Sequence, residues 1–404
     1  MAYDVERIRS HFPALASGTA HFDGPGGTQT PDVVAQAVAD TLTASIANRG
    51  TVTTAERRAE DVVRECRAAL GDLLGADPRA VVFGRSSTQL TYDFSRALAK
   101  DWGPGDEVVV SRLDHDSNIR PWIHAAEAVG ATVRWADFDA DTGVQTEEHF
   151  AAHITERTRL VALTAASNLI GTKPPVCKTA RLARAVGAVV WVDGVHAAAH
   201  DSVDLGELGA DFFTCSPYKL MGPHCGVVAA ARPELLEGLR PDKLLPSTDE
   251  VPERFELGTL PYELMAGTTA AIDFLATFDD AATVATSPRR ERLLAAYAAL
   301  REHEESLLAR LEPVLRALPG VRVFSNATKR TPTLLFSIDG VDSGEVYRSL
   351  ATVGVNAPAS NFYALECSRH LGLGDGGAVR VGLAPYTTAD DIDRLLMGVR
   401  TLTG

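Results

Sequence analysis

Val189-Val190-Trp191-Val192-Asp193-Gly194-Val195-His196 decides how this chain folds. Four β-branched or aromatic residues run without a polar break, and a carboxylate and a glycine follow. A strand that is apolar on both faces belongs in a parallel sheet covered by helices on each side. Such a sheet carries its ligand beyond the carboxyl ends of its strands, where Asp193 falls.

The same rhythm of short apolar run and helical stretch extends in both directions. Strands are predicted at Val81–Phe83, Glu107–Ser111, Thr132–Trp135, Leu160–Thr164, Ala188–Val192, Asp211–Cys215 and Gly226–Ala230. Leu90, Phe94 and Leu98 repeat at helical spacing, as do Leu182, Ala185 and Val186. The fold class is therefore α/β, with a mostly parallel sheet. Near residue 275 the pattern changes. Pro288–Leu318 reads as a long helix. Strands at Val321–Phe324, Thr333–Ile338 and Val379–Leu383 follow, then a terminal helix at Ala389–Leu402. We read residues 21–275 as a large domain, and residues 1–20 with 276–404 as a smaller α+β domain.

The chain has 404 residues and a net charge of −14. That balance argues against a nucleic-acid or anionic-membrane partner, because neither is steered toward a negative surface. Cys66, Cys177, Cys215, Cys225 and Cys367 are scattered, with no CxxC pair, so neither a disulfide framework nor a metal site is expected. Met1–Leu15 shows no signal-peptide pattern, and no apolar stretch reaches the length of a membrane span. A cytoplasmic enzyme or binding protein is the expectation.

Five segments fall at strand carboxyl ends. Ser216-Pro217-Tyr218-Lys219 places a lysine after a strand, where burial can make its amine neutral. Asp193 would be partly buried and in need of a cation, or else would serve as a helix cap. Phe83-Gly84-Arg85-Ser86-Ser87-Thr88 leads from a strand into a helix, which makes either a phosphate cradle or an ordinary cap. Asp114-His115-Asp116-Ser117-Asn118 and Ala166-Ser167-Asn168 follow two further strands. A lysine, an aspartate, a ring-stacking imidazole and a phosphate cradle in one cleft are what pyridoxal 5'-phosphate requires.

Longer motifs extend this reading. His21-Phe22-Asp23-Gly24-Pro25-Gly26-Gly27 resembles Y-L-D-x-A-A. Gly105-Asp106-Glu107-Val108-Val109 and the run from His115 to Asn118-Ile119-Arg120-Pro121-Trp122 resemble G-D-E-V-V and E-H-x-x-N-x-x-P-W. Ser167-Asn168-Leu169-Ile170-Gly171-Thr172, Val192-Asp193-Gly194, Arg254-Phe255-Glu256-Leu257-Gly258-Thr259, and Arg380 with Tyr386-Thr387-Thr388 resemble further elements of one set. The chain thus resembles, nearly end to end, class V aminotransferases of fold-type I, in the cysteine desulfurase and selenocysteine lyase branch.

That resemblance implies a large domain built on a mostly parallel seven-stranded sheet. It also implies a homodimer with shared active sites and a small-molecule amino-acid substrate. Lys219 would bond the cofactor aldehyde and move protons at Cα, while Asp193 would pair with the pyridine nitrogen. At an effective dielectric of ~20, such a pair ~4 Å apart attracts by ~4 kcal/mol, enough to keep that nitrogen protonated. His115 would stack on the ring and Asn168 would bond its phenolic oxygen. His196, standing where desulfurases usually carry Gln, would reach the same region. Ser87, Thr88 and Ser216 would hold the phosphate. Tyr218 replaces a histidine, and Thr259 would reach the neighbouring subunit's phosphate. Arg380 would clamp the substrate carboxylate, with Gly26, Arg49 and Asn361 as further substrate-side candidates.

One departure matters. Desulfurases carry a nucleophilic cysteine in a loop that reads R-x-G-H-H-C-A in the group most similar to this chain. Here that stretch is Ala359-Ser360-Asn361-Phe362-Tyr363-Ala364, with Tyr363 at the cysteine position. A phenol cannot accept sulfur. The expected activity is therefore a C–S lyase performing β-elimination on an S-substituted cysteine, with Tyr363 as general acid or as a closing group. A desulfurase using Cys367, transamination, epimerisation and oxidative decarboxylation–deamination stay open, as does a non-catalytic scaffold.

Overall fold

The computed structural model describes residues 3–279 and 287–403. All seven strands predicted for the large sheet form. After a short strand β1 (Ala20–His21), the sheet is built from β2 (Val81–Gly84), β3 (Glu107–Ser111), β4 (Thr132–Ala136), β5 (Thr158–Thr164), β6 (Val189–Asp193), β7 (Phe212–Cys215) and β8 (Gly226–Ala230). Their spatial order is β2-β8-β7-β6-β5-β3-β4. β8 runs antiparallel to β2 and β7, and every other neighbouring pair is parallel.

β6 is buried on both faces, as its sequence requires. On one side Trp191 meets Trp122 at 5.1 Å and Phe94 at 5.4 Å, and Phe94 stacks on Phe255 at 4.8 Å. On the other, Val190 and Val192 join Phe213 and Leu220. Burying one such side chain is worth roughly 1.5–3 kcal/mol. Leu90, Phe94 and Leu98 are all buried on the helix Ser87–Ala99. The helix Val176–Ala185 differs from expectation. It buries Val176, Thr179, Ala180 and Ala183, whereas Ala185 is exposed and Leu182 and Val186 are half-buried. Apolar spacing had selected a stripe about one position away from the face that meets the sheet.

The C-terminal part holds β9 (Val321–Phe324), β10 (Thr333–Ile338), β11 (Val355–Asn356), β12 (Ala359–Ser360) and β13 (Ala378–Gly382). Four of these form an antiparallel sheet in the order β12-β13-β10-β9, and β11 pairs in parallel with β1. The long helix spans Arg289–Ala317 and the terminal helix Ala389–Thr403. Ile8 and Phe12 pack in the core of the large sheet, beside Phe274 and Tyr386, whereas Ala20 and Phe22 pack in the core of the C-terminal part. The inferred boundary near residue 275 lies just before residues 280–286, which are outside the described residues.

Gly382 fixes one approach that matters for the site. Asp23 bridges to Gly382, and a Cβ there would come within 2.2 Å of the Pro25 ring. Only glycine lets the Asp23–Gly27 turn lie against β13. Among the described residues, no helix is long and apolar enough to cross a membrane.

Candidate active site

The five segments meet beyond the strand carboxyl ends. A cavity of about 560 Å³ is lined by Asp23, Gly26, Thr88, His115, Lys219 and Arg380, among others. It shares Thr88, His115, Asn168 and Lys219 with a narrow recess of about 50 Å³ that Ser87, Asp193 and His196 also line. A larger cleft of about 770 Å³ lies elsewhere, lined by Lys173, Lys178 and Asp201 among others. It lacks these convergent groups, and two of its lysines are already paired, Lys173 with Asp201 and Lys178 with Glu147.

Lys219 sits on a single 3-10 turn, Pro217–Lys219, directly after β7. It is 6% exposed. Burial, reinforced by the Arg380 charge and opposed by Asp193 and Asp23, pushes its amine down to about 8. Asp193 closes β6 and accepts the Val195 N–H at 2.9 Å. Burial raises its carboxyl above the usual range, although that N–H and Lys219 work the other way. A buried carboxylate in that state favours an added cation.

His115 follows β3. Its Nδ1 accepts the Ser117 N–H at 3.1 Å and lies 2.8 Å from Ser117 Oγ, which leaves the ring proton on Nε2. Burial, then the Lys219 and Arg380 charges, push the imidazole down to about 3, so it is a neutral ring. Its loop is anchored from behind. Asp114 accepts from Asn118 Nδ2 at 2.7 Å and from the Thr164 N–H at 2.9 Å, and Trp122 Nε1 donates to Asn118 Oδ1 at 3.1 Å.

The phosphate-like end is built on the helix Ser87–Ala99. Ser86 caps it by accepting the Gln89 N–H, and Ser87 and Thr88, whose first-turn N–H groups have no partner within the helix, line the recess. Ser216 Oγ donates to Ser87 Oγ at 3.0 Å. A Cβ on Gly226 would strike Ser87 N at 2.2 Å, so β8 can lie beneath this turn only through glycine. Tyr218 stacks on His224 at 4.8 Å, and its phenol is raised by burial.

Two buried atoms at the recess have no partner among the described residues: Asn168 Oδ1 and His196 Nδ1. Each such atom costs about 1–3 kcal/mol if left unmet. His196 Nε2 is held between the Thr331 and Thr333 hydroxyls at 2.9 and 3.0 Å, and burial holds its imidazole well below the usual range. These two atoms, the solitary Asp193 carboxylate, the depressed amine and the open helix N-terminus fit a phosphorylated pyridine aldehyde. Lys219, Asp193, His115, Asn168, His196, Ser87 and Thr88 are the residues able to hold it, with Ser216 supporting Ser87 from behind.

Arg380, on β13, is buried. Its Nη2 donates to Asp23 at 2.6 Å, its Nη1 donates to the Asn168 carbonyl at 3.1 Å, and the guanidinium lies 3.7 Å from the Phe362 ring centroid. Tyr363 is 74% exposed and lines the cavity mouth. Phe362 and Tyr363 both take positive φ, 51° and 59°, a costly backbone for bulky residues.

Four expected residues line neither part of the cavity of this chain, and the first, Ser216, stands behind Ser87 and is joined to the recess through the Ser87 hydroxyl. Arg49 is committed to Glu60 at 2.8 Å and Glu253 at 2.7 Å. Two carboxylates satisfy it where a substrate was expected to. Asn361 Nδ2 donates to the Asp375 carbonyl and Asn361 Oδ1 accepts the Tyr363 N–H, so it shapes the loop rather than lining the cavity. Thr259 is solvent-exposed in the single chain. Conversely, sequence reasoning gave no task to Asp23 or Phe362. Asp23 stood in a recognised motif, whereas no local signal points to Phe362.

Comparison with known proteins agrees with this geometry. The family model described as aminotransferase class-V matches residues 20–395. "Uncharacterized protein MT3887" of Mycobacterium tuberculosis is 34% identical, with all of both chains covered. "Probable cysteine desulfurase" of Pseudomonas aeruginosa is 31% identical over 97% of this chain and 96% of its own. The crystal structure of the cysteine desulfurase CsdA from Escherichia coli superposes with a TM-score of 0.86 at 27% identity, covering 99% of this chain and 98% of that one. The chain belongs to the aminotransferase class-V family, as a cysteine desulfurase-like fold-type I enzyme that uses pyridoxal 5'-phosphate.

Proposed function

We propose that this enzyme is a C–S lyase that eliminates a thiol from Cβ of an S-substituted cysteine or thiol conjugate. The observation that carries the reading is Tyr363. A phenol stands at the cavity mouth where the resembling desulfurases carry their sulfur acceptor, and among the described residues no cysteine lines either part of the cavity. Cys367 is fully buried on the helix Leu365–His370, against Leu113, Phe138 and Leu371, and burial pushes its thiol up. A buried thiol in that state is a poor nucleophile.

When bound, pyridoxal phosphate supplies an electron sink for charge developing at Cα. The protein's own groups would do the rest. Lys219, with its lowered affinity for protons, would hold the aldehyde carbon and carry the Cα proton. Asp193 would keep the ring nitrogen cationic. The neutral His115 would cover the ring face, and Asn168 and His196 would meet the phenolic side. Ser87, Thr88 and Tyr218 would bind the phosphate end, with Ser216 supporting Ser87. Arg380 would take the substrate carboxylate through charge-assisted bonds, with Gly26 leaving room in the wall. Tyr363 would pass its proton to the departing sulfur. One water is consumed, and the products are a thiol, pyruvate and ammonia.

The test is product analysis of the holoenzyme with S-methyl-L-cysteine and bulkier S-conjugates. Equal amounts of thiol and pyruvate are expected. A keto acid formed without thiol, or an aldehyde with hydrogen peroxide, overturns the reading in favour of transamination or oxidative deamination. The second reading, desulfuration through Cys367, is favoured by the names of the relatives. It requires alanine from cysteine, with the persulfide sulfur freed as sulfide by an added thiol reductant, and both products abolished in Cys367→Ala.

We also propose a cytoplasmic homodimer whose partner supplies Thr259. Leu42, Val52, Leu244, Leu245 and Leu257 are exposed, the last close in sequence to Thr259. Leu244 and Leu245 are adjacent in the chain, an exposed apolar pair that supports a covered surface. Sedimentation of the holoenzyme at twice the chain mass is expected.

A further inference from the structure

Asp23 lines the cavity yet has no task in the reaction above. Its place is built with care. The Gly26 and Gly27 N–H groups both donate to its carbonyl, at 2.9 and 3.0 Å, and its backbone bridges to Gly382 beside Arg380. A Cβ on Gly26 would press to within 2.5 Å of its carboxylate. That carboxylate is one-third exposed toward the cavity and accepts from Arg380 Nη2 at 2.6 Å. Arg380 itself is almost fully shielded, by Phe362 on one face and the Asn168 carbonyl at one edge, and its Nε has no partner.

We propose that Asp23 is a positioning residue: it occupies Arg380 as an internal carboxylate until an amino-acid substrate's carboxylate takes its place, and so sets how tightly that class of substrate binds. The proposal rests on Arg380 being the carboxylate clamp. A shielded guanidinium without a counter-charge is costly, and Asp23 offsets that cost in the free enzyme. An arriving carboxylate is drawn by Arg380 but repelled by Asp23; in the holoenzyme Lys219 is committed to the cofactor and Asp193 to its ring nitrogen, His115 is neutral, and the Tyr218 phenol carries no charge near neutral pH. Like charges brought together at a binding site weaken binding substantially. Asp23 also helps Lys219 keep its proton, against burial and Arg380. An amine that lacks a carboxylate gains nothing from Arg380 and is indifferent to this exchange.

The test compares the wild-type protein with Asp23→Asn, whose amide oxygen still accepts from Arg380 while the charge is gone. The holoenzyme is titrated by absorbance with L-alanine, which has no leaving group at Cβ, and with ethylamine, which lacks the carboxylate. The variant is expected to bind the amino acid about fivefold more tightly and the amine as before. In the cofactor-free protein, the pH midpoint for acylation of Lys219 is expected to move down. Unchanged or weaker binding of the amino acid by a folded variant overturns the proposal, as does an unmoved Lys219 midpoint. If Asp23→Asn fails to fold, Asp23→Ser is measured in the same way. Failure of both assigns Asp23 a purely structural role and overturns the proposal. Arg380→Gln separates the two layers: weaker binding of the amino acid upholds the clamp. Unchanged binding there removes the clamp reading and, with it, the role of Asp23.

Discussion

The rings of His115 and Tyr363 lie 5.6 Å apart, tilted by 31°, although 248 positions separate them in the chain. The Asp116 N–H donates to the Tyr363 carbonyl at 2.6 Å, and Arg120 forms ion pairs with both Asp116 and Glu366. The loop that presents the phenol is therefore clamped to the loop that presents the imidazole. That clamp also holds the positive φ angles of Phe362 and Tyr363, which neither residue would keep in isolation.

Removing the phenolic hydroxyl tests its role as proton donor. Tyr363→Phe is expected to lower kcat by about 10²-fold for a conjugate that releases a poorly stabilised thiolate. The loss shrinks for a conjugate with an acidic thiol, and KM changes little. Steady-state kinetics across leaving groups check this, and an equal loss for every leaving group would mean the ring only closes the site.

Covalent attachment depends on one amine. Lys219→Ala is expected to abolish the visible band that borohydride removes from the wild-type holoenzyme, and to lower turnover by at least about 10²-fold. Absorbance before and after borohydride is the measurement.

Burial of Lys219 has a stability consequence with a defined sign. Its amine has an ordinary value of 10.5 and is pushed down to about 8 in the folded chain. Below pH 8 it is charged in both states and folding bears the whole penalty. Between pH 8 and 10.5 the folded chain has shed a proton the unfolded chain still holds, so stability rises with pH. In the cofactor-free protein, Lys219→Met should raise the melting temperature at pH 7, and the difference should vanish near pH 10.5. Calorimetry across that window decides it.

The opposite end of the pH scale is governed by His115, ordinarily at 6.5 and pushed down to about 3. Between those values the unfolded chain binds a proton that the folded chain refuses, so acidification from pH 6.5 toward 3 erodes stability. His115→Phe should lose less stability than wild type over that range in urea titrations.

Cys367 offers a control. Its truncation to alanine leaves a small void among Leu113, Phe138 and Leu371. Cys367→Ala is expected to cost about 1 kcal/mol of stability and to leave elimination within about twofold of wild type. Loss of activity without loss of stability would restore the thiol as a participant.

Local sequence made the framework legible. The runs at Val108–Val110, Leu160–Leu163 and Val189–Val192 are apolar on both faces, and only a strand inside a covered sheet buries such a run. Once those strands are placed, the residues just beyond their ends, Ser87, His115, Asn168, Asp193 and Lys219, converge without further information. Where the buried face carries small residues, as Thr179, Ala180 and Ala183 do on Val176–Ala185, periodicity alone misjudged it.

The sequence by itself thus determined the sheet, the strand ends and the residues that gather there, because period and β-branching act over a few neighbouring positions. Only the tertiary structure decided that Arg380 is held by Asp23, that Phe362 lies over its guanidinium, that Cys367 is sealed in a core and that Arg49 is committed to Glu60 and Glu253. Most of those outcomes rest on contacts between segments far apart in the chain. Their energies depend on which charges and rings the completed fold brings within a few ångströms, and no local pattern records that.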